Sequence, residues 1–359
     1  MKYLPFALIA SFLIVLNFDF YIHRDILGWL MPGLESLPFL VLYATVAPFL
    51  VTYLVTSRLI GFLHSKKMTA IDFHKPERNL VATPGGLALI AGLVAAESLL
   101  FLFTREIGIL AILLTTVIAS VIGFVDDFHK LGGLAKPALL LAAAIPILAL
   151  STYSPHLVFP FFGSTRLTFI YPILILIAIP VTANTINTID VLNGAVSGFI
   201  AIATVPLVLA LFLNGKVILA LAAIPLIMVC LAFFLFHRFP SRIFPGDSGT
   251  LALGAIYGAI AIVGGVEIVA VIAILPAILN SFFFLTSVKG FVEHSKIKVR
   301  PTIVLDDGRL MAEKSRKAPV TLVRLIASDG PLGEREIVRI IFALTAFSAF
   351  LATLLALLT

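Results

Sequence analysis

A chain of 359 residues that is 60% hydrophobic and only 12% charged, with a mean hydropathy of +1.13, is too apolar for a water-soluble globular domain. Such domains are nearer half apolar and a quarter charged. The excess of 25 basic over 19 acidic residues gives a net charge of +6. That charge suits anionic headgroups and phosphates; no nucleic-acid partner is expected. One cysteine, Cys230, excludes a disulfide framework and, inside an apolar run, reads as a small core hydrophobe.

The apolar residues fall in runs. A hydrocarbon core about 30 Å thick takes roughly 20 of them per helix, and eleven runs serve: 4–20, 37–61, 85–103, 107–125, 137–151, 168–184, 194–213, 217–236, 249–262, 266–288 and 338–358. The shortest are 137–151 and 249–262. A membrane barrel would show period-2 alternation instead. The expected fold is all-α: a polytopic helical membrane protein of about 10–11 transmembrane helices, a single domain over 1–359. The first run follows Met1-Lys2, but no Ala-x-Ala-like cleavage site precedes Asp19, so it is expected to be a retained extra span.

With eleven spans, the loops 62–84, 126–136, 185–193, 237–248 and 289–337 share one side with the N-terminus and hold nearly all the lysine and arginine. The other side keeps Arg24, Arg105, Arg166 and Lys216. The basic side should be cytoplasmic. Two of its loops are long enough to have structure of their own. The first, His64 to Thr83, is polar and basic. The second, 289–337, carries short apolar runs around Asp306-Asp307-Gly308, a turn signal that predicts a small β-hairpin. Further on, Ser328-Asp329-Gly330-Pro331 ahead of Glu334 and Glu336 predicts a helix start.

Polar residues at the ends of the apolar runs gather on this same side. Asp126-Asp127 close the fourth run, with Lys130 and Lys136 beyond. Paired carboxylates are costly to desolvate without a cation, and either Mg²⁺ or these lysines could supply one; a solvated helix end is the plainer reading. Asn184, Asn187 and Asp190 follow the sixth run at i, i+3 spacing, which would place them on one helical face. Helix capping would explain one of them, not the set together with Asn193-Gly194. Asp247, in Phe244-Pro245-Gly246-Asp247-Ser248-Gly249, opens another apolar run, where an N-cap is the simple alternative. Thr83-Pro84-Gly85-Gly86 opens the third, where glycines permit close helix packing or a phosphate at a helix N-terminus. Together these clusters suit a magnesium-dependent reaction on a phosphorylated substrate.

At these residues the chain resembles the polyprenyl-phosphate N-acetylhexosamine-1-phosphate transferase superfamily. That group includes the bacterial phospho-MurNAc-pentapeptide translocase and the eukaryotic dolichyl-phosphate GlcNAc-1-phosphate transferase. Asp126-Asp127-Phe128-His129-Lys130 matches its Asp-Asp-x-x-Lys element. Asn184 through Gly194 and Phe244 through Gly249 match its two later elements, and the order and spacing cover about 80 to 338. Position 191 is Val where the bacterial pattern has Gly, and the last loop lacks the bacterial histidine cluster. Its Lys298-Val299-Arg300-Pro301-Thr302 segment looks more like the archaeal and eukaryotic branch.

The resemblance implies transfer of N-acetylhexosamine-1-phosphate, GlcNAc-1-phosphate by preference, from a UDP-sugar to polyprenyl or dolichyl phosphate. It implies Mg²⁺, with Mn²⁺ able to substitute, on Asp247 and Asn187, and Asp126, Asp127 and Asp247 as the catalytic set. Lys130, Lys136, Asn184, Asp190, Asn193, Gly194 and Arg300 would bind substrate, Asn193 at the uracil and Arg300 at the sugar. A homodimer in membrane lipid, with its active site on the cytoplasmic face, is the expected setting. Within the resemblance the alternative is a phospho-MurNAc-pentapeptide translocase-like enzyme, and two other classes remain beside it. An intramembrane prenyltransferase would carry Asp-x-x-x-Asp motifs, which this sequence lacks. An ion-coupled transporter would place its carboxylates near the bilayer midplane, often in internal repeats.

Overall fold

The computed structural model describes residues 36–159, 163–290 and 299–358; the span expected at 4–20 lies outside them. The helices in chain order are α1 (Leu37–Ser65), α2 (Gly86–Thr104), α3 (Ile107–His129), α4 (Ala135–Ala149, with a 3-10 turn inside), α5 (Tyr171–Asn187), α6 (Ala195–Leu213) and α7 (Val217–His237). They continue with α8 (Gly246–Gly264), α9 (Glu267–Ala273), α10 (Leu275–Val288), α11 (Leu322–Ile326) and α12 (Glu334–Leu358).

Among the described residues seven helices are long and apolar enough to cross a membrane, and an eighth crossing results if the bent pair α9–α10 is counted as one. The shorter apolar helices α4 and α5 account for the two remaining runs expected beyond residue 36. The α9–α10 pair bends by 68°. Ile274 interrupts it at φ −99°, ψ 15°, and Pro276, in the first turn of α10, has no N–H to continue the ladder.

α8 is the axis of the bundle, with 83% of its apolar window buried. It packs against α2, α3, α5, α6, α7 and α9, and its small residues let the neighbours come close. At Gly254 an added Cβ would lie 2.5 Å from the Thr182 carbonyl oxygen of α5. Apolar burial gives little net drive between helices in lipid, so such close contact is where association energy comes from.

Three antiparallel hairpins cap the ends. β1 (Thr69–Ile71) pairs with β2 (Leu80–Ala82) inside the first basic loop, which the sequence did not announce. An Ala82–Ile243 bridge ties that hairpin to the segment entering α8. β3 (His156–Phe159) pairs with β4 (Gly163–Arg166) at the other end. The expected hairpin in the last loop is present as β5 (Thr302–Val304) and β6 (Leu310–Ala312). Gly308 takes φ +79° there.

The basic loops converge on one end of the bundle. Asn280 of α10 donates to the Thr188 carbonyl and accepts from the Leu322 N–H. Asn193 reaches both Asp72 and Glu334. At the opposite end Lys216 donates to the Gly264 carbonyl at 2.7 Å and Tyr171 to Glu267.

Candidate active site

The first turn of any helix leaves N–H groups without intrahelical partners. For α8 they are met from outside: Asp127, near the end of α3, accepts from the Asp247 N–H at 2.7 Å and the Ser248 N–H at 3.0 Å, one on each carboxylate oxygen. Its charge also lies at the positive end of the helix. This approach requires Gly123, one turn earlier on α3, where a Cβ would fall 2.4 Å from the Asp247 carbonyl oxygen. The Gly85 and Gly86 N–H groups dock on the Phe244 and Pro245 carbonyls at 2.7 Å each. The Pro-Gly-Gly motif is therefore a packing device beside the site.

With Asp127 serving as the cap, the Asp247 side chain is free to face outward. Its Oδ1 accepts from Lys136 Nζ at 2.9 Å and Asn187 Nδ2 at 2.6 Å. Lys136 reaches in turn to Asp126 Oδ2 at 2.6 Å, while the other Asp126 oxygen accepts from the Leu131 N–H. One ammonium group thus stands between two carboxylates, as paired burial demands. The side chains of Asp126, Lys136 and Asp247 are 6%, 17% and 30% exposed, so Asp247 is the one left open to a ligand.

These groups line a cavity of about 390 Å³ between α3, α4, α5, α8 and α10, together with Lys130 and Asn184. Pro180, Val181, Phe284 and Leu285 make its other wall apolar. Among the described residues no three His, Cys, Asp or Glu side chains group to hold a metal. The donors present include two carboxylates and two amides, all hard oxygen ligands. This set suits Mg²⁺, which commonly takes one or two carboxylates and completes its shell with water and phosphate oxygens.

Six of the eleven residues singled out from sequence therefore line one cavity: Asp126, Lys130, Lys136, Asn184, Asn187 and Asp247. Asp127 lies directly behind it. Asp190 corrects the expected helical face: α5 stops at Asn187, and Asp190 lies in the following turn beside His237, at 3.5 Å. Burial, then the like charges of Asp247 and Asp127, push the Asp190 carboxyl up to about 8.

Asn193 belongs to a second buried polar cluster. Its backbone N–H donates to Glu334 at 2.7 Å and its side chain to Asp72 at 3.1 Å, while Lys75 pairs with the same Asp72 oxygen. Burial opposes ionisation of Asp72, but the bonds from Lys75 and Asn193 prevail and hold it below the usual carboxylate range. Gly194 turns the chain into α6 at φ +85°. Arg300 stacks on Phe73, 4.0 Å from the ring centre. Asp190, Asn193, Gly194 and Arg300 do not line the cavity. Sequence reasoning passed over Asp72 and His237, which carry no recognisable spacing, and read Glu334 only as part of a helix start. His237 ends an apolar run next to Arg238, a position that usually marks only a membrane boundary.

The apolar helical bundle, with carboxylate, amide and ammonium groups converging on a cavity at one end, is that of an integral membrane protein. Residues 109–265 match the model of glycosyl transferase family 4. A Saccharolobus solfataricus protein provisionally named UDP-N-acetylglucosamine–dolichyl-phosphate N-acetylglucosaminephosphotransferase is 28% identical over 86% of this chain and 94% of its own. A Sulfolobus acidocaldarius protein with the same provisional name is 28% identical over 87% and 95%. The phospho-N-acetylmuramoyl-pentapeptide-transferase of Chlorobaculum parvum is 28% identical over 71% and 78%. The segment from α3 to the end of α8 is thus similar to glycosyl transferase family 4, and most of the chain is similar to relatives named as sugar-phosphate transferases.

Proposed function

We propose that the protein transfers GlcNAc-1-phosphate from UDP-GlcNAc to a polyprenyl phosphate of the dolichyl type, releasing UMP, on the cytoplasmic face. The observation that carries this reading is the cavity itself. One wall presents Asp126, Lys130, Lys136, Asn187 and Asp247 to a phosphate group, and the other presents Val181, Phe284 and Leu285 to hydrocarbon. Both substrates are diphosphate- or phosphate-headed, and one is also a lipid. The names of the archaeal relatives favour a dolichyl carrier and GlcNAc.

In the reaction an oxygen of the carrier phosphate attacks the β-phosphorus of the UDP-sugar. The bond from that phosphorus to the bridging oxygen breaks, and UMP leaves with the oxygen and its electron pair. A phosphate monoester has its second pKa near 6, so at neutral pH the attacking oxygen needs little general base. The work of the site is then positioning and charge compensation. Lys130 and Lys136 act as point charges on phosphate oxygens. Asp126 holds Lys136 toward Asp247. Asp127 holds the first turn of α8, and through it the Asp247 side chain. Asp247 and Asn187 would hold a magnesium ion, which when bound offsets negative charge on the diphosphate.

The test is UMP release by purified protein given UDP-GlcNAc, polyprenyl phosphate and Mg²⁺, with EDTA and lipid-free controls. Release that requires both lipid and metal is expected. No release with any UDP-N-acetylhexosamine would overturn the reading.

A further inference from the structure

Behind the cavity lies a chain of three side chains that the reaction above does not use. Ser197 Oγ, in the first turn of α6, is 3.0 Å from His237 Nδ1 at the end of α7. On the other side of the same ring, Nε2 is 3.5 Å from Asp190 Oδ1. Ser197 and His237 are buried, and the ring is hemmed in by Phe233 and Phe244. Asp190 lies close enough to Asp247 and Asp127 for their charges to act on it. It follows Asn187 by one turn, and its N–H donates to the Asn187 carbonyl. The turn 188–194 contains no further helix to fix a side chain, so Asp190 needs an external support.

We propose that His237 is a positioning residue for this transferase: braced by Ser197, it holds the Asp190 carboxyl in place behind the Asn187–Asp247 pair. The imidazole suits this task in either charge state of Asp190. If Asp190 is ionised, Nε2–H faces its Oδ1 at 3.5 Å and the Ser197 hydroxyl donates to Nδ1. If Asp190 carries a proton, the carboxyl donates to Nε2 and Nδ1–H donates to Ser197, whose own hydrogen turns to the Gly194 carbonyl, 3.3 Å away. A ring nitrogen whose partner nitrogen is engaged this way has a fixed orientation. The inference rests on the reaction proposed above, with Asp190 acting on the substrate through the Asn187–Asp247 pair in front of it.

The test compares His237→Gln with His237→Met. Gln keeps a group that donates or accepts at the Nε2 position; Met keeps bulk alone. In the UMP-release assay His237→Met should raise the KM for UDP-GlcNAc by about tenfold with kcat changed much less, while His237→Gln stays within about threefold of the parent. Ser197→Ala, which removes only the brace, should fall between them and covers the case in which the Met variant does not fold. Gln and Met variants that match each other in KM, or an unchanged KM in both Met and Ala variants, would overturn the positioning role while leaving the reaction standing. A parent protein that releases no UMP would overturn the reaction, and this role with it.

Discussion

At the scale of single residues, Asp126, Asp127 and Asp247 look alike in sequence and are used differently. Asp127 caps a helix, Asp126 fixes a lysine, and Asp247 alone remains open. Asp247→Ala should therefore cost about a hundredfold or more in turnover, with no recovery as Mg²⁺ is raised; normal UMP release would remove it from the metal assignment. Asp127→Ala should instead destabilise by about 1–2 kcal/mol, the worth of a lost cap, with Asp127→Asn recovering part through its one remaining oxygen. Melting temperatures in detergent distinguish this from a purely chemical role, which would leave them unchanged. Asp72 gives a pH signature. Its folded-state pKa lies below the ordinary aspartate value, so its contribution is complete above that value and fades as pH falls through the lower folded one. The gap in melting temperature between parent and Asp72→Asn should be full at pH 7 and shrink below about pH 4; a gap that widened on acidification would reverse the assignment.

At the scale of elements, the sequence disclosed the apolar runs from 37 onward, the last hairpin and the start of α12, because each follows from local hydrophobicity or turn chemistry. It did not disclose β1–β2, whose three-residue strands are too short to carry a pattern and are tied to the rest of the fold by the Ala82–Ile243 bridge. It also carried α5 one turn too far: Asn-rich residues at helical spacing look alike on a helix and in the turn that ends it. Six site residues could be found from spacing and the family motif, whereas His237 and Asp72 matter only through contacts across the fold. The α3–α8 contact is the element-level feature most exposed to disruption. Gly123→Val places side-chain carbon against the Asp247 carbonyl and should destabilise by about 1–3 kcal/mol or more, with activity falling in step. Gly61→Ala, where nothing lies within 4 Å, should be neutral or slightly stabilising. Equal effects at the two glycines would mean that close approach at Gly123 is not what sets the site.

At the scale of the whole molecule, charge asymmetry and the gathering of polar loops at one end predict a single arrangement in the bilayer. The end bearing the site holds most of the lysine and arginine, and the opposite end carries β3–β4 with Arg166, and Lys216 beyond it. Lysine and arginine flanking short loops favour the cytoplasm, which is also where nucleotide sugars are available to a cytoplasmic-facing cavity. The arrangement can be tested directly because Cys230 is buried and should give little background labelling. Ser164→Cys, exposed on β4, and Asp329→Cys, exposed in the loop before α12, report the two ends. A membrane-impermeant maleimide applied to intact cells should label Ser164→Cys and spare Asp329→Cys, with the pattern reversed in inverted vesicles. Labelling of Asp329→Cys from outside would put the cavity on the wrong side of the membrane for its proposed donor, whatever the purified protein does in detergent.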